Sequence, residues 1–338
     1  MKKQLLTSLF AFLLVFSLCM GCSKAETGDK TTASDSFEVS SQKTSPVKIT
    51  LNEVAHSVFY APLYVAIEKG YFKDENIDLT LVTGFGADKT MTAVISGEAD
   101  IGFMGSEASV YMYSEGASDY VVNFAQLTQR AGNFLVARQD NEHFQWADLK
   151  GKTVLGGRKG GMPEMVFEYI LKENGIDPEK DLTIIQNIDF GSTAPAFADG
   201  RGDFTIEFEP GATSLESEGK GHVIASLGKD SGYVPYTAFS AKKSYLKENP
   251  DVIQRFTNAL QKGMDYVRSH SPSETASVIK PQFPETTLEM ITTIVTRYYE
   301  QDTWKSNLIF EESSFDLLQD ILESAGELEK RAPYKDLI

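Results

Sequence analysis

Cysteine is almost absent from this chain of 338 residues, in which Cys19 and Cys22 are the only two. Because both lie close to the start, the rest of the chain has no disulfide framework, no thiolate zinc site and no cysteine nucleophile. Histidine is scarce as well, and the four that occur share no metal-ligand spacing: His56, His143, His222 and His270. We therefore expect no metal ion, no cofactor and no catalytic residue.

Basic residues are outnumbered in the chain. There are 32 Lys and Arg against 48 Asp and Glu, which gives a formal net charge of −16. A nucleic-acid-binding protein needs clustered Lys and Arg to neutralise phosphates, so this balance argues against that class. Hydrophobic residues make up 41% of the chain, enough for a large core. The length corresponds to about two domains.

Long apolar runs are missing after the first residues, and no later run reaches the roughly 18 residues that a membrane-spanning helix needs. Residues 5–18 form a shorter apolar run after the basic Lys2 and Lys3, as in a secretory signal peptide. The run ends in the sequence CMGC at residues 19–22. A small residue directly before a cysteine resembles the bacterial lipoprotein signal, although Cys19 stands where that signal usually has Leu, Val or Ile.

The resemblance to a lipoprotein signal implies that residues 1–21 are removed and that Cys22 carries the lipid anchor. The alternative is plain secretion with Cys22 left as a thiol. Residues 22–46 are rich in Ser, Thr, Lys, Asp and Glu, which predicts a disordered tether. The folded body is then expected to be lipid-anchored on the extracytoplasmic face of a bacterial cell membrane. Two or more acyl chains would hold it firmly, whereas one would not.

The body contains one pattern twice. Gly97 and Asp100 recur as Gly200 and Asp203, at an offset of 103 residues in both cases. Around each pair the sequence predicts the same order of strand, helix, strand, helix and strand. Two such copies imply an α/β fold with two lobes, each a mostly parallel sheet flanked by helices.

The chain continues past the second copy with two predicted strands and then helices with one apolar stripe each. We expect these helices to return to the first lobe. The predicted lobe 1 is therefore discontinuous, with residues 47–136 and 237–338, and lobe 2 is residues 137–236. The chain would cross between the lobes twice, near Val136 and near Tyr236.

Ligands of parallel sheets bind at the carboxyl ends of the strands, so the loops at those ends form the predicted site. The loop residues predicted to contact a ligand are Ser57, Gly86, Ser106, Gly160 and Gly161. Neither glycine-rich loop matches a phosphate-binding motif. Residues 84–89 lack the last glycine of the dinucleotide-binding fingerprint, and residues 156–161 lack the Gly-Lys-Ser/Thr ending of a nucleotide-binding phosphate loop. A tight strand-to-helix turn is the alternative for each of these glycines.

Side chains with recognition chemistry lie in or near the same loops. Four aromatic residues could stack on a ring: Phe59, Tyr60, Phe85 and Tyr236. Glu107 and Glu209 could accept hydrogen bonds from a ligand amine, while Arg130 and Lys159 could bind an anionic group. Each has a plainer alternative, since aromatic residues commonly pack in cores and charged residues commonly lie on surfaces.

Four segments resemble one known family. They are YAPLYVAIEKGYF at residues 60–72, IDL at 77–79, SGEADIGF at 96–103 and DLKGKTV at 148–154. The resemblance is to solute-binding proteins of ABC importers for nitrate, taurine, alkanesulfonates and thiamine pyrimidine precursors. It implies a monomer with the two-lobed type II periplasmic-binding fold, a small-molecule ligand, and delivery of that ligand to a membrane permease with its ATPase.

One branch of the family, the fungal pyrimidine synthases, is enzymatic. It has a histidine where this chain has Tyr60, together with a cysteine-rich motif that no residue after Cys22 could supply. We therefore expect a binding protein. The aromatic and acidic candidates favour a thiamine-type pyrimidine or another small aromatic ligand over a sulfonate, taurine or nitrate. The alternatives are a secreted enzyme that uses His56 and Glu107, and an adhesive or sensory module.

Overall fold

Two five-stranded sheets organise the computed structural model, which describes residues 45–188 and 191–338. The predicted signal peptide, the lipid-anchor position Cys22 and almost all of the predicted tether lie outside the described residues. Residues 45–338 form a single unit by their internal contacts. No helix in the described part of the chain is both long and apolar enough to cross a membrane.

The first sheet has the strand order β2-β1-β3-β10-β4. Strands β1, β2 and β3 are mutually parallel, while β10 runs antiparallel to both of its neighbours. The strands are β1 (Val47–Glu53), β2 (Ile77–Thr83), β3 (Ile101–Gly105), β4 (Val121–Thr128) and β10 (Thr237–Lys242).

The second sheet has the order β7-β6-β8-β5-β9, which repeats the pattern of the first. Strands β6, β7 and β8 are parallel, and β5 is the antiparallel strand. The strands are β5 (Phe134–Ala137), β6 (Thr153–Leu155), β7 (Thr183–Ile185), β8 (Phe204–Glu207) and β9 (His222–Ser226). The predicted fold class, two matched α/β sheets, is thereby confirmed.

The repeated aspartates have the same structural role in both sheets. Asp100 accepts a hydrogen bond from the Thr50 backbone N–H at 2.8 Å, and Asp203 accepts one from the Thr153 N–H at 2.8 Å. Each carboxylate thus ties the start of the third strand of its copy to the first strand. The sequence repeat therefore marks a repeated strand connection.

Helices cover both sheets and bury apolar stripes against them. Gly263 permits close packing of the longest one, since a Cβ there would lie 2.2 Å from the Pro62 carbonyl oxygen. The helices are α1 (Ala61–Glu68), α2 (Tyr71–Asp74), α3 (Ala87–Ser96), α4 (Glu107–Ser114), α5 (Met162–Glu173), α6 (Thr193–Ala198), α7 (Gly211–Ser217), α8 (Leu227–Asp230), α9 (Lys243–Glu248), α10 (Pro250–Ser269), α11 (Pro272–Ile279), α12 (Leu288–Glu300), α13 (Glu312–Ser324) and α14 (Tyr334–Leu337).

The chain passes from the first sheet to the second at residues 129–133 and returns at residues 231–236. The first crossing precedes the position predicted near Val136, because all of β5 pairs within the second sheet. The C-terminal helices also divide differently from the prediction: α13 packs on α5, whereas α14 packs on β4. An apolar stripe predicts that a helix is packed, but it does not specify the surface that the helix covers.

Candidate functional site: a cleft between the two sheets

A cleft of about 1180 Å³ lies between the sheets, and both contribute to its walls. The first sheet supplies residues from the loops after β1, β2 and β3, and the second supplies residues from the loops after β6, β7 and β8. These are the carboxyl ends of six parallel strands, where helix N-termini and loops are free to meet a ligand. The repeat therefore places equivalent loops on opposite walls of one cavity.

Ten of the thirteen predicted ligand residues line the cleft. They are Ser57, Tyr60, Phe85, Gly86, Glu107, Lys159, Gly160, Gly161, Glu209 and Tyr236. The other three, Phe59, Ser106 and Arg130, do not belong to the lining.

Packing explains these three departures. Phe59 is fully buried among aromatic rings, including Tyr298 at 5.2 Å between centroids. Ser106 is also fully buried and donates to the backbone carbonyl of Pro235. Arg130 donates to the Gly228 carbonyl at 2.9 Å, and its guanidinium lies over the ring of Tyr233. All three positions therefore support the structure beside the cleft.

Three aromatic residues lie at different depths of the cleft. Tyr60 and Tyr236 are buried in its wall, with 4% and 3% of their surface exposed. Phe85 lies at the opposite extreme, with 66% exposed and a backbone φ of 57°, a conformation that is uncommon for a bulky residue. A large exposed apolar ring in a cavity lining is a surface suited to contact with an apolar ligand.

Glu107 begins α4 and is only 3% exposed although it lines the cleft. Its side chain folds back over Gly105, where a Cβ would lie 2.1 Å from Glu107 Oε2. That oxygen has no hydrogen-bond partner. Burial raises the pKa of Glu107 to about 8, against smaller lowering effects of the backbone N–H groups of Glu107 and Met162. A buried carboxyl without a cation is thus protonated near neutral pH.

Glu209 differs from Glu107, because its carboxylate is already fully engaged. It accepts hydrogen bonds from the Thr213 backbone N–H at 2.9 Å and hydroxyl at 2.8 Å, and from Arg297 Nη1 at 2.9 Å. Arg297 lies on α12 and also forms an ion pair with Glu216. Ser57, beyond the end of β1, donates to the Glu209 carbonyl at 2.9 Å. Glu209 therefore connects the loop after β8 both to α12 and to the loop after β1.

Glu207, the last residue of β8, is a third carboxyl in the lining. It accepts hydrogen bonds from Thr205 at 2.6 Å and Thr193 at 3.0 Å. Burial raises the pKa of Glu207 to about 7 despite these two lowering hydrogen bonds. Glu207 was not predicted from the sequence, because the candidates were taken from the loops after the strands and Glu207 belongs to the strand itself.

His56 is engaged on both ring nitrogens. Its Nδ1 lies 2.7 Å from Glu53 Oε1, and its Nε2 lies 2.9 Å from the Gln282 carbonyl oxygen. Burial lowers the pKa of His56, but the hydrogen bonds and charge of these acceptors outweigh it, so the pKa is raised overall. Glu53 also accepts from the Tyr64 hydroxyl at 2.7 Å. The pairing with Glu53 replaces the His56–Glu107 partnership that the enzyme alternative requires.

Asn133 is a lining residue that the sequence did not reveal. It lies at the end of the first crossing segment and is 1% exposed. The Tyr236 hydroxyl donates to its Oδ1 at 2.8 Å, whereas its Nδ2 has no partner. A lone asparagine in a connecting segment carries no motif by which sequence analysis could single it out.

Apart from His56, which is paired with Glu53, the basic residues in the lining lie exposed in one loop. Lys159 is exposed, and Arg158 lies 3.7 Å from Asp88 of the opposite wall, with half of its side chain exposed. The Tyr111 hydroxyl also reaches the opposite wall, where it donates to the Gly160 carbonyl at 3.1 Å. The buried part of the cleft is therefore aromatic and acidic, with its charged lysine and arginine at the exposed surface.

The family described as "NMT1/THI5 like" matches residues 58–274. The "Putative binding protein YtlA" of Bacillus subtilis (strain 168) is 49% identical over 297 residues, covering 88% of this chain and 89% of YtlA. A 4-amino-5-hydroxymethyl-2-methylpyrimidine phosphate synthase of Candida albicans (strain WO-1) is 23% identical over 63% of this chain and 64% of its own.

Among solved structures, the alkanesulfonate-binding protein SsuA of Xanthomonas axonopodis pv. citri, bound to MOPS, superposes with a TM-score of 0.70. The identity is 16%, and the match covers 87% of this chain and 98% of SsuA. This likeness shows the fold of periplasmic binding proteins. The extent of the family match and the identity with YtlA confirm the predicted resemblance: the chain belongs to the NMT1/THI5-like family.

Proposed function

We propose that this NMT1/THI5-like protein is an extracytoplasmic solute-binding component of an ABC importer. The observation that carries the proposal is the cleft, whose two walls are equivalent loops of duplicated sheets. A cavity between two sheets, joined by short crossing segments, is the arrangement in which a small molecule can contact both halves at once. The similarity to the "Putative binding protein YtlA" and to the fold of SsuA supports the same conclusion.

The mechanism that fits this arrangement is closure around the ligand. A ligand that contacts both walls only in the closed form binds that form more tightly and shifts the population toward it. A ligand with equal affinity for both forms would shift nothing. The importer's permease, with its ATPase, would then recognise the closed protein and accept the solute.

For the ligand, we favour a small planar aromatic or heteroaromatic compound such as a thiamine-type pyrimidine. The buried lining provides the rings of Tyr60 and Tyr236, and Phe85 adds an exposed ring. Stacking on such rings is a main source of affinity for planar ligands. A sulfonate, taurine or nitrate is the alternative, and it is disfavoured because the buried carboxyls Glu107 and Glu207 have no cation beside them.

Export and anchoring complete the proposal. Cys22 would carry the lipid that keeps a monomeric binding protein close to its permease. Labelling growing cells with a radioactive or clickable palmitate tests this step, with Cys22→Ala as the variant. We expect label on the natural protein and none on the variant; equal labelling of both would contradict an anchor at Cys22.

The function itself is tested by thermal-shift measurements on the purified full-length protein. The compounds are a 4-aminopyrimidine series, alkanesulfonates, taurine and nitrate, each at saturating concentration. A bound ligand raises the melting temperature because it binds the folded state alone. We expect stabilisation by the pyrimidines; stabilisation only by sulfonates would reject the favoured ligand, and chemical conversion of a bound compound would support the enzyme alternative.

A further inference from the structure

Two buried polar atoms in the cleft lining have no hydrogen-bond partner. The described residues contain five such side-chain atoms: Glu107 Oε2, Gln126 Oε1, Arg130 Nε, Asn133 Nδ2 and Ser231 Oγ. Of their residues, only Glu107 and Asn133 line the cleft. Buried polar atoms are nearly always satisfied, and each exception calls for a specific explanation. A partner that arrives in the cleft, namely the solute, provides that explanation for both atoms.

Tyr236 relates the two atoms to each other. Its hydroxyl donates to Asn133 Oδ1 at 2.8 Å, which assigns the amide so that Nδ2 remains the unpaired donor. The charge of Glu107 also acts on the Tyr236 phenol, because it contributes to raising the pKa of that group. Glu107, Tyr236 and Asn133 therefore belong to one neighbourhood of the cleft wall.

The groups facing Glu107 leave its carboxyl without a counter-charge. The titratable side chains that interact with it are the phenols of Tyr60, Tyr111 and Tyr236, which come from three different segments. Among the ion pairs of the described residues, none includes Glu107. Burial is consequently uncompensated and raises the pKa of Glu107 to about 8. In the protonated form, the oxygen that accepts no hydrogen bond is the favourable place for the proton, and it becomes a donor.

We propose that Glu107, in its uncharged acid form, and Asn133 donate hydrogen bonds to two acceptor atoms of an uncharged solute. The proposal rests on the proposed function and specifies the polar recognition within it. Ring nitrogens and carbonyl oxygens are acceptors of this kind, and neither brings a charge into the buried part of the cleft. Anionic oxygens are also acceptors, but they lack a buried cation here and face the further carboxyl of Glu207.

The proposal has a direct consequence for pH dependence. At pH values below the pKa of Glu107, the protonated acid can donate a hydrogen bond to the solute. At pH values above it, the negative carboxylate repels the lone pair of the solute's acceptor atom. Affinity for an uncharged acceptor therefore falls as the pH rises past about 8, approaching tenfold per pH unit for one linked proton. A cationic solute would show the opposite trend, since an ionised Glu107 would attract it.

Isothermal titration calorimetry with 4-amino-5-hydroxymethyl-2-methylpyrimidine, at several pH values on both sides of the Glu107 titration, tests the proposal on the full-length protein. Glu107→Gln keeps an uncharged donor, so we expect an affinity close to that of the natural protein with no loss at high pH. Glu107→Leu has no donor, and Asn133→Leu, which keeps the approximate shape of the amide, has none either. We expect each of these two to bind about tenfold more weakly or worse.

Matched controls separate recognition from folding. Glu164 is another buried carboxyl whose pKa burial raises to about 8, and Asn123 is another buried amide, but neither lines the cleft. Glu164→Gln and Asn123→Leu should leave the affinity and its pH dependence unchanged. Affinity that is constant with pH, or equal in Glu107→Leu and the natural protein, would overturn the inference while leaving the proposed function intact. If only the sulfonates bound, the inference would also be overturned. If none of the pyrimidines, alkanesulfonates, taurine or nitrate bound, both the inference and the proposed function would be overturned.

Discussion

The hydroxyl of Tyr236 donates to Asn133 Oδ1 at 2.8 Å, so the last residues of the two crossing segments are joined directly. The hydroxyls of Thr128, the last residue of β4, and Thr237, the first residue of β10, lie 2.6 Å apart. Both residues of the first pair also line the cleft. The crossing segments and the cleft wall therefore share residues, so a solute bound in the cleft would contact the connection between the two sheets.

Removing the Tyr236 hydroxyl should destabilise the protein. In Tyr236→Phe the buried Asn133 Oδ1 loses its donor, and we expect the free energy of unfolding in urea to fall by about 1–3 kcal/mol. Tyr233→Phe is the matched control, because that hydroxyl bonds to Asp302 at an exposed site. Equal effects of the two substitutions would show that the Tyr236–Asn133 bond has no special role.

Removing the Arg297 guanidinium should be more damaging. Glu209 has a fully buried side chain, and Arg297→Met would leave its carboxylate without a cation. We expect a loss of about 3–5 kcal/mol in the free energy of unfolding. The double variant Arg297→Met with Glu209→Met should recover much of it, since no uncompensated charge then remains. If Arg297→Met were as stable as the natural protein, the tie between α12 and Glu209 would be unimportant.

Stability should decrease between acidic and mildly alkaline pH through the buried carboxyls. The pKa of Glu107 is raised from 4.5 to about 8 and that of Glu207 to about 7, so the folded protein keeps protons that the unfolded chain releases. The resulting stabilisation is fully present below pH 4.5 and is lost as the pH rises through these folded-state values. Urea unfolding at a series of pH values should show a shallower decrease for Glu107→Gln than for the natural protein. An identical slope would mean that Glu107 ionises normally in the folded state.

Ligand saturation should make the protein more compact in solution. Asp88 and Arg158 already approach to 3.7 Å across the cleft, and both are at least half exposed, so the pair itself is worth little. Under the proposed mechanism, contacts of the solute with both walls drive closure. Small-angle X-ray scattering should give a smaller radius of gyration with the pyrimidine than without it, and an unchanged radius at saturation would argue against closure.

The duplicated architecture was predictable because its signature is local. Asp100 and Asp203 repeat at one offset since each makes the same bond to a neighbouring strand, and such strand connections leave a recognisable pattern. The destination of α13 was not predictable in this way. Its apolar stripe fits any apolar surface, and its packing on α5 depends on the three-dimensional arrangement of the whole unit.

The candidate site was predictable to the level of its loops. The rule that parallel sheets bind ligands at strand ends located nine of the ten predicted lining residues, all except Tyr236. It could not distinguish Glu107, which has an unpartnered oxygen, from Glu209, which is saturated. That difference depends on Arg297, which lies 88 residues away in sequence. Asn133 and Glu207 were missed because a single polar residue at or next to a strand end gives no signal until its neighbours are known.

Hydrogen–deuterium exchange followed by mass spectrometry tests the central claim most directly. With saturating 4-amino-5-hydroxymethyl-2-methylpyrimidine, we expect slower exchange in loops of both sheets, around residues 84–88 and 105–108 in the first and 157–161 and 208–212 in the second. Protection confined to one sheet, or located away from these loops, would contradict a solute bound between the two.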